Sequence, residues 1–355
     1  MNTVKGIHTA RVGNVTIPPK ETTEVNLTHP SIFELHEPIS NSKIQLVPEV
    51  GGTITSFKVG PDQTEILCSK DPLSKKMGEQ MGIPFMFPFC NRVRDSKCKE
   101  RGIDLTQLDD VWILNGHAIH GVAYNRPWKV EKLDYGSGKF IKCSFDTRST
   151  ENNDIRNLFG KATVTLIHKL LNPSQSKNKV TLSIDVEVRN VGGEISPISF
   201  GFHPFFYTPG GHELKIKIPA SDYYVTDEEL LPKEVKSVID TAYNFIDWKQ
   251  VRGSDNLWTD HVFTSLDFAH REIGSEQLFA SSYLESSHWL ITIRQSDPFK
   301  HFVLYTPLNK DFVCAEPQTS STDAFNFSNQ EYRNLIILES GKTICGQVEI
   351  NVQLY

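Results

Sequence analysis

Val180-Thr181-Leu182-Ser183-Ile184-Asp185-Val186-Glu187-Val188-Arg189 alternates apolar and polar residues without a break. A period of two sends successive side chains to opposite faces of an extended chain, so this stretch reads as a strand with one face in a core and the other towards water. The same period recurs in Leu214-Lys215-Ile216-Lys217-Ile218 and in Val348-Glu349-Ile350-Asn351-Val352-Gln353-Leu354, with shorter candidates at residues 163–167 and 289–293. Helical periodicity is scarce. Turn signals separate the runs: Asp134-Tyr135-Gly136-Ser137-Gly138, Asn172-Pro173-Ser174, Gly192-Gly193 and Gly210-Gly211. The fold class that follows is all-β, built from antiparallel strands.

A chain of 355 residues is long enough for two domains, yet β-sandwiches of this size also form single units. The expected division is residues 1–30 as an N-terminal extension or added edge strand, carrying Pro18-Pro19 and no sustained pattern, and residues 31–355 as one domain. Hydrophobic residues make up 38% and charged residues 23%, enough apolar material for a core and too little charge for disorder. The net charge of −6 opposes a nucleic-acid partner, which would require a basic face, and suits a neutral ligand. Met1-Asn2-Thr3-Val4-Lys5-Gly6 lacks an apolar leader, and no later run approaches the roughly 18 residues that span a bilayer. The expectation is a cytoplasmic protein with no membrane partner; the oligomeric state is left open. The six cysteines include no Cys-x-x-Cys pair and read as free buried thiols, and the sequons at Asn14, Asn26 and Asn326 matter only in a secreted chain.

Two segments offer chemistry. Gly201-Phe202-His203-Pro204-Phe205-Phe206 supplies an imidazole and Cys314-Ala315-Glu316-Pro317-Gln318-Thr319 a carboxylate, each just before a proline. Proline fixes its own φ and biases the preceding residue towards extended backbone, so both groups are expected at strand ends, held still enough for proton transfer. A lone buried histidine is more often a core residue bonded to backbone, and a glutamate before a turn is more often a surface charge. The apolar Val313-Cys314-Ala315 before Glu316 points instead to a carboxylate carried on a buried strand.

Five motifs lie in order along the chain after Leu46-Val47-Pro48-Glu49-Val50-Gly51-Gly52: Cys90-Asn91-Arg92-Val93; Ile119-His120-Gly121; Val188-Arg189-Asn190 through Pro197 to His203-Pro204-Phe205-Phe206; Asp260-His261-Val262-Phe263; and Glu316-Pro317-Gln318-Thr319 with Asp323-Ala324-Phe325-Asn326. Together they resemble the aldose 1-epimerases, also called galactose mutarotases. The resemblance implies a large twisted antiparallel β-sandwich, the mutarotase-like supersandwich, with a sugar cleft on one sheet. It implies anomer exchange of a small-molecule sugar by ring opening and closure, with Glu316 as base and His203 as acid and with Arg92, His120 and Asp260 contacting substrate. Such chemistry requires two proton transfers and no cofactor or metal. The ordinary side-chain pKa values, about 4.3 for glutamate and about 6.5 for histidine, suit a glutamate base and a histidine acid close to neutrality. Arg92 follows the apolar run Ile83-Pro84-Phe85-Met86-Phe87-Pro88-Phe89, which suits a cleft floor.

Two departures bear on substrate. Val303 stands where many family members carry glutamine, three residues before Thr306. Gly121-Val122-Ala123-Tyr124-Asn125-Arg126-Pro127-Trp128 looks like the branch that includes hexose-phosphate mutarotases, for which Arg92, Arg94 and Arg126 would form a rim for the anion. The alternatives are therefore a mutarotase for a sugar phosphate and a sugar-binding protein without turnover. Gly136-Ser137-Gly138-Lys139 lacks the spacing of a phosphate loop and reads as a hairpin turn. His117 and His120 lack an accompanying carboxylate or cysteine cluster in sequence and do not read as a metal pair.

Overall fold

The structure, a computed structural model, describes residues 10–12, 15–17, 32–134, 140–193, 197–209, 213–253, 256–271 and 277–355. Each alternating run became a strand, and all of them entered one sheet. The ten-stranded sheet runs in the order Lys129–Asp134, Phe140–Asp146, Lys161–Leu171, Lys179–Gly192, Thr343–Leu354, Trp289–Ser296, Leu278–Ser286, Leu214–Lys217 and Lys249–Arg252, with His270–Arg271 added to Leu278–Ser286. Residues 180–189 sit at its centre, antiparallel to both neighbours, with Leu182 opposite Ile350 and Ile184 opposite His168. Leu182, Ile184, Val186 and Val188 are buried, as the period of two requires.

An eight-stranded sheet carries the segments with chemistry. Its order is Pro232–Ser237, Ala220–Thr226, Asp260–Leu266, His301–Tyr305, Phe312–Gln318, Gly201–Phe202 and Phe85–Met86, with Phe205–Tyr207 also paired to Phe312–Gln318. Phe302, Leu304, Val313 and Ala315 enter the same apolar core as Leu182, Ile184, Ile291 and Val348 of the larger sheet, which makes a two-layer sandwich. Burying a Phe or Leu contributes about 1.5–3 kcal/mol, against about 0.2–1 kcal/mol for a cross-strand pair, so the core face fixes the register. A one-residue slip would bury Glu316 in hydrocarbon; the observed register turns it to the other face.

Smaller sheets accompany the sandwich. Phe33–Glu37, Ser42–Val47, Thr53–Val59 and Thr64–Glu65 form a meander, joined through Val15–Ile17 to Ala10–Val12. Trp112–Leu114, His117–Ile119 and Arg92–Val93 form a three-stranded sheet, with Ile119 opposite both Trp112 and Arg92. Among the described residues no helix is long and apolar enough to cross a membrane. The cysteines are free, but Cys345 is exposed and Cys68 half-buried, so only four are buried as expected. The amide of Asn326 is engaged with Lys97, Lys99 and Asp323, which makes it a structural residue. The expected turns at residues 136–138 and 210–211 and the sequon asparagines Asn14 and Asn26 lie outside the described residues.

Candidate active site

Glu316 lies inside the strand Phe312–Gln318, whereas His203 occupies the gap between Gly201–Phe202 and Phe205–Tyr207. The gap decides the geometry. Segment 201–207 pairs with the long strand at Phe205 opposite Cys314 and at Gly201 opposite Gln318, leaving residues 315–317 facing an interruption filled by His203 and Pro204. His203 thus flanks a strand end, as its proline predicts. Glu316 does not: its strand continues through Pro317, because a proline φ is compatible with extended backbone and the ladder is already open beside it. Gly201 allows the two segments to meet, since a Cβ there would lie 2.8 Å from the carbonyl oxygen of Pro317 and 2.9 Å from Cγ of Gln318. The His203 N–H donates to the carbonyl of Pro84 at 3.0 Å.

All five residues selected from the sequence, Arg92, His120, His203, Asp260 and Glu316, line one cavity of about 280 Å³. That volume suits a single small ligand. Nε2 of His203 lies 3.2 Å from Oε1 of Glu316, and Gln318 Nε2 donates to Oε2 of Glu316 at 2.8 Å. The His203 ring stacks on Phe205 at 4.5 Å and meets His120 edge-on at 5.0 Å. Arg92 Nη2 stands 3.6 Å from Asp260 Oδ2, and Asp260 opens its strand opposite Tyr305. His120 adopts φ +63° and is followed by Gly121 at +66°. The left-handed turn brings His120 back over the floor while the N–H groups of Val122 and Ala123 both donate to the carbonyl of Phe87.

Burial governs the charges. It holds the imidazole of His203 down to about 3 and that of His120 well below its ordinary value, the latter also opposed by the charges of His203 and Arg92. It pushes the Glu316 carboxyl well above the carboxylate range, helped by Asp260 and opposed by Gln318 and Arg92. Asp260 is likewise raised by burial, with Arg92 pulling the other way. Nδ1 of His120 and Nδ1 of His203 are buried without a hydrogen-bond partner among the described residues. An unpaired buried polar atom is costly, so this floor is suited to receiving polar ligand atoms.

Sequence reasoning named Val303 for its departure from the family pattern but gave no role to Trp112 or Tyr305. Trp112, Val303 and Tyr305 also line the cavity. Trp112 approaches His120 at 5.8 Å, and its place in the apolar run Val111-Trp112-Ile113-Leu114 is the signal that could have drawn attention to it. Val303 sits directly opposite Glu316 and gives the carboxyl an apolar neighbour; the amide beside Glu316 comes instead from Gln318, two residues along the same strand. The three-arginine rim does not form. Arg94 is engaged by Asp323 at 3.3 Å and Asp227 at 3.7 Å, and Arg126 is buried in a fork with Asp154 and the carbonyl of Asp109. Neither residue lines the cavity, because each found a carboxylate partner that sequence distance conceals.

The chain matches the family model described as Aldose 1-epimerase over residues 39–351. Solved structures share the fold at low identity. A galactose mutarotase-like protein from Clostridium acetobutylicum superposes with a TM-score of 0.70 at 19% identity, covering 94% of this chain and 98% of that one. A putative aldose 1-epimerase from Escherichia coli K12 gives 0.66 at 17% identity, covering 92% and 100%. Galactose 1-epimerase from Lactobacillus acidophilus NCFM gives 0.63 at 16% identity, covering 98% and 99%. Comparison with curated proteins gives no significant match.

Proposed function

Because the chain belongs to the aldose 1-epimerase family, and is thus an isomerase acting on sugars, we propose that it interconverts the α and β anomers of a free hexose with His203 and Glu316 as the proton-transferring pair. The observation that carries this reading is the contact of 3.2 Å between His203 Nε2 and Glu316 Oε1 on the floor of a cavity sized for one small ligand. The Glu316 carboxylate takes the proton of the anomeric hydroxyl while protonated His203 gives one to the ring oxygen, so the C1–O5 bond breaks and the aldehyde forms. Rotation about C1–C2 presents the other face, and the reverse transfers close the ring with both residues restored. Arg92 and Asp260 offer a donor and an acceptor to the remaining hydroxyls, and His120 offers a ring nitrogen beside His203.

A neutral sugar is favoured over a hexose phosphate. A phosphate carries nearly two charges and calls for a cluster of cations. Of the three arginines that could have supplied it, Arg94 and Arg126 are taken by carboxylates and Arg92 faces Asp260. The test is anomer exchange, followed by polarimetry or NMR, with fresh α-glucose, α-galactose and glucose 6-phosphate. The expected result is a higher kcat/KM for a neutral hexose. A kcat/KM for glucose 6-phosphate more than tenfold higher, collapsing in Arg94→Ala, would reverse the choice. Sugar binding without acceleration would leave the non-catalytic reading standing.

A further inference from the structure

We propose that the floor of the cleft is also a binding site for a zinc-type divalent cation, held by His203, Cys314 and Glu316, and that its occupancy blocks turnover. What is blocked rests on the function proposed above; what is bound does not. His203, Cys314 and Glu316 each present one donor atom, a nitrogen, a sulfur and an oxygen, all within 4.8 Å of one another. The strand period puts Cys314 and Glu316 on one face, and the pairing of Phe205 with Cys314 brings the segment bearing His203 alongside. Sequence spacing pairs only Cys314 with Glu316; His203, over a hundred residues earlier, joins them through the ladder between strands.

The donor set is that of zinc. Zinc takes imidazole nitrogen, thiolate and carboxylate at about 2.0–2.3 Å in a tetrahedron, which places neighbouring donors about 3.3–3.8 Å apart. The contact between His203 and Glu316 is already 3.2 Å, so the cation requires mainly an inward rotation of the Cys314 side chain. Cys314 lies beneath the cavity and does not line it, while His203 and Glu316 do, so the fourth position opens into the cavity and is completed by water. On binding, the thiol and the His203–Glu316 pair each give up one proton to solvent as the bonds to the cation form. The cation then holds the nitrogen and oxygen lone pairs that proton transfer uses. A chain that works without metal is therefore inhibited by one.

The test uses the full chain with the exposed Cys345 replaced by Ser, dialysed against EDTA and titrated with Co²⁺ as the optical probe. The expected result is one equivalent bound with a thiolate-to-cobalt charge-transfer band in the near ultraviolet, displaced by Zn²⁺ and lost in Cys314→Ala. Zn²⁺ should also inhibit anomer exchange reversibly by EDTA. Cys314→Ala should keep its basal rate and require at least about tenfold more Zn²⁺ for the same inhibition. If Cys314→Ala does not fold, Cys314→Ser is read in the same way. Absence of the band, or its persistence in the Cys314 variant, overturns the site. Inhibition by Zn²⁺ that is indifferent to Cys314 does so as well. The band is read without sugar, so a chain that binds cobalt through Cys314 but exchanges no anomers keeps this site and loses the proposed function.

Discussion

At the scale of single residues, the His203–Glu316 contact assigns separate kinetic effects to separate side chains. Glu316→Gln and His203→Asn each remove one proton-transfer partner while keeping shape, and each should lower kcat by about 10²–10⁴ in steady-state anomer exchange. Arg92→Ala, which removes a contact to sugar hydroxyls, should act mainly on KM. Activity of Glu316→Gln within threefold of the parent would remove that carboxyl from the mechanism. The pair also sets the pH profile. Burial lowers His203 to about 3 and raises Glu316, so over a wide window the empty dyad carries one proton and holds it on Glu316; that proton must cross the 3.2 Å contact to His203 to give the carboxylate and imidazolium that the reaction uses. Acid adds a second proton and removes the base; alkali takes the last one and removes the acid. In metal-free protein kcat/KM should be bell-shaped, with its acid limb well below the ordinary imidazole value and its alkaline limb above the ordinary carboxylate range. An acid limb centred near 6.5 would show a solvated His203 that titrates independently of its partner.

Among elements, the turn after His117–Ile119 is the part on which the site most depends. Gly121 has φ +66°, and a Cβ there would meet the carbonyl oxygen of Phe87 at 2.2 Å. Gly121→Ala must therefore strain the backbone or push the turn away from residues 87–88, and it should cost about 3 kcal/mol or more in urea unfolding. Since His120 immediately precedes Gly121, variants that still fold should show a raised KM. Wild-type stability in Gly121→Ala would mean that this turn can be remade without loss. The strand Phe312–Gln318 illustrates a different dependence. Its neighbour is interrupted at His203-Pro204, and the same interruption that tolerates Pro317 brings the imidazole to Glu316.

For the whole molecule, folding buries histidines outside the cavity lining as well as within it. His168 in the large sheet and His301 in the smaller one are fully enclosed, and burial lowers each to about 4. Their folded pKa lies below the unfolded value near 6.5, so the unfolded chain binds more protons between those limits and stability falls as pH drops through that window. Each should contribute a slope of about 1.4 kcal/mol per pH unit there. Denaturant midpoints at pH 7.5, 6 and 5 should fall together, and His168→Gln should flatten the decline. A stability that stays level from pH 7 to 5 would show that these rings are already charged in the fold.

The alternation of residues 180–189 and its repeats determined the all-β class, because a period of two admits one geometry and needs no partner to be legible. Proline-flanked His203 and Glu316, together with Arg92, His120 and Asp260, were also legible in sequence as residue types at ordered motifs, and the fold places all five on one cavity. What sequence could not supply was partnership across the ladder. Whether Arg94 and Arg126 face a ligand depends on Asp323, Asp227 and Asp154, which arrive from other elements. Glu316 runs through its proline instead of ending a strand because the neighbouring segment is broken there. Val303 becomes a wall of the cleft, and Cys314 a neighbour of His203, only through register. Local pattern is written in the spacing of side chains along one strand; the identity of the atom across from each is written in hydrogen bonds between strands that the linear chain keeps apart.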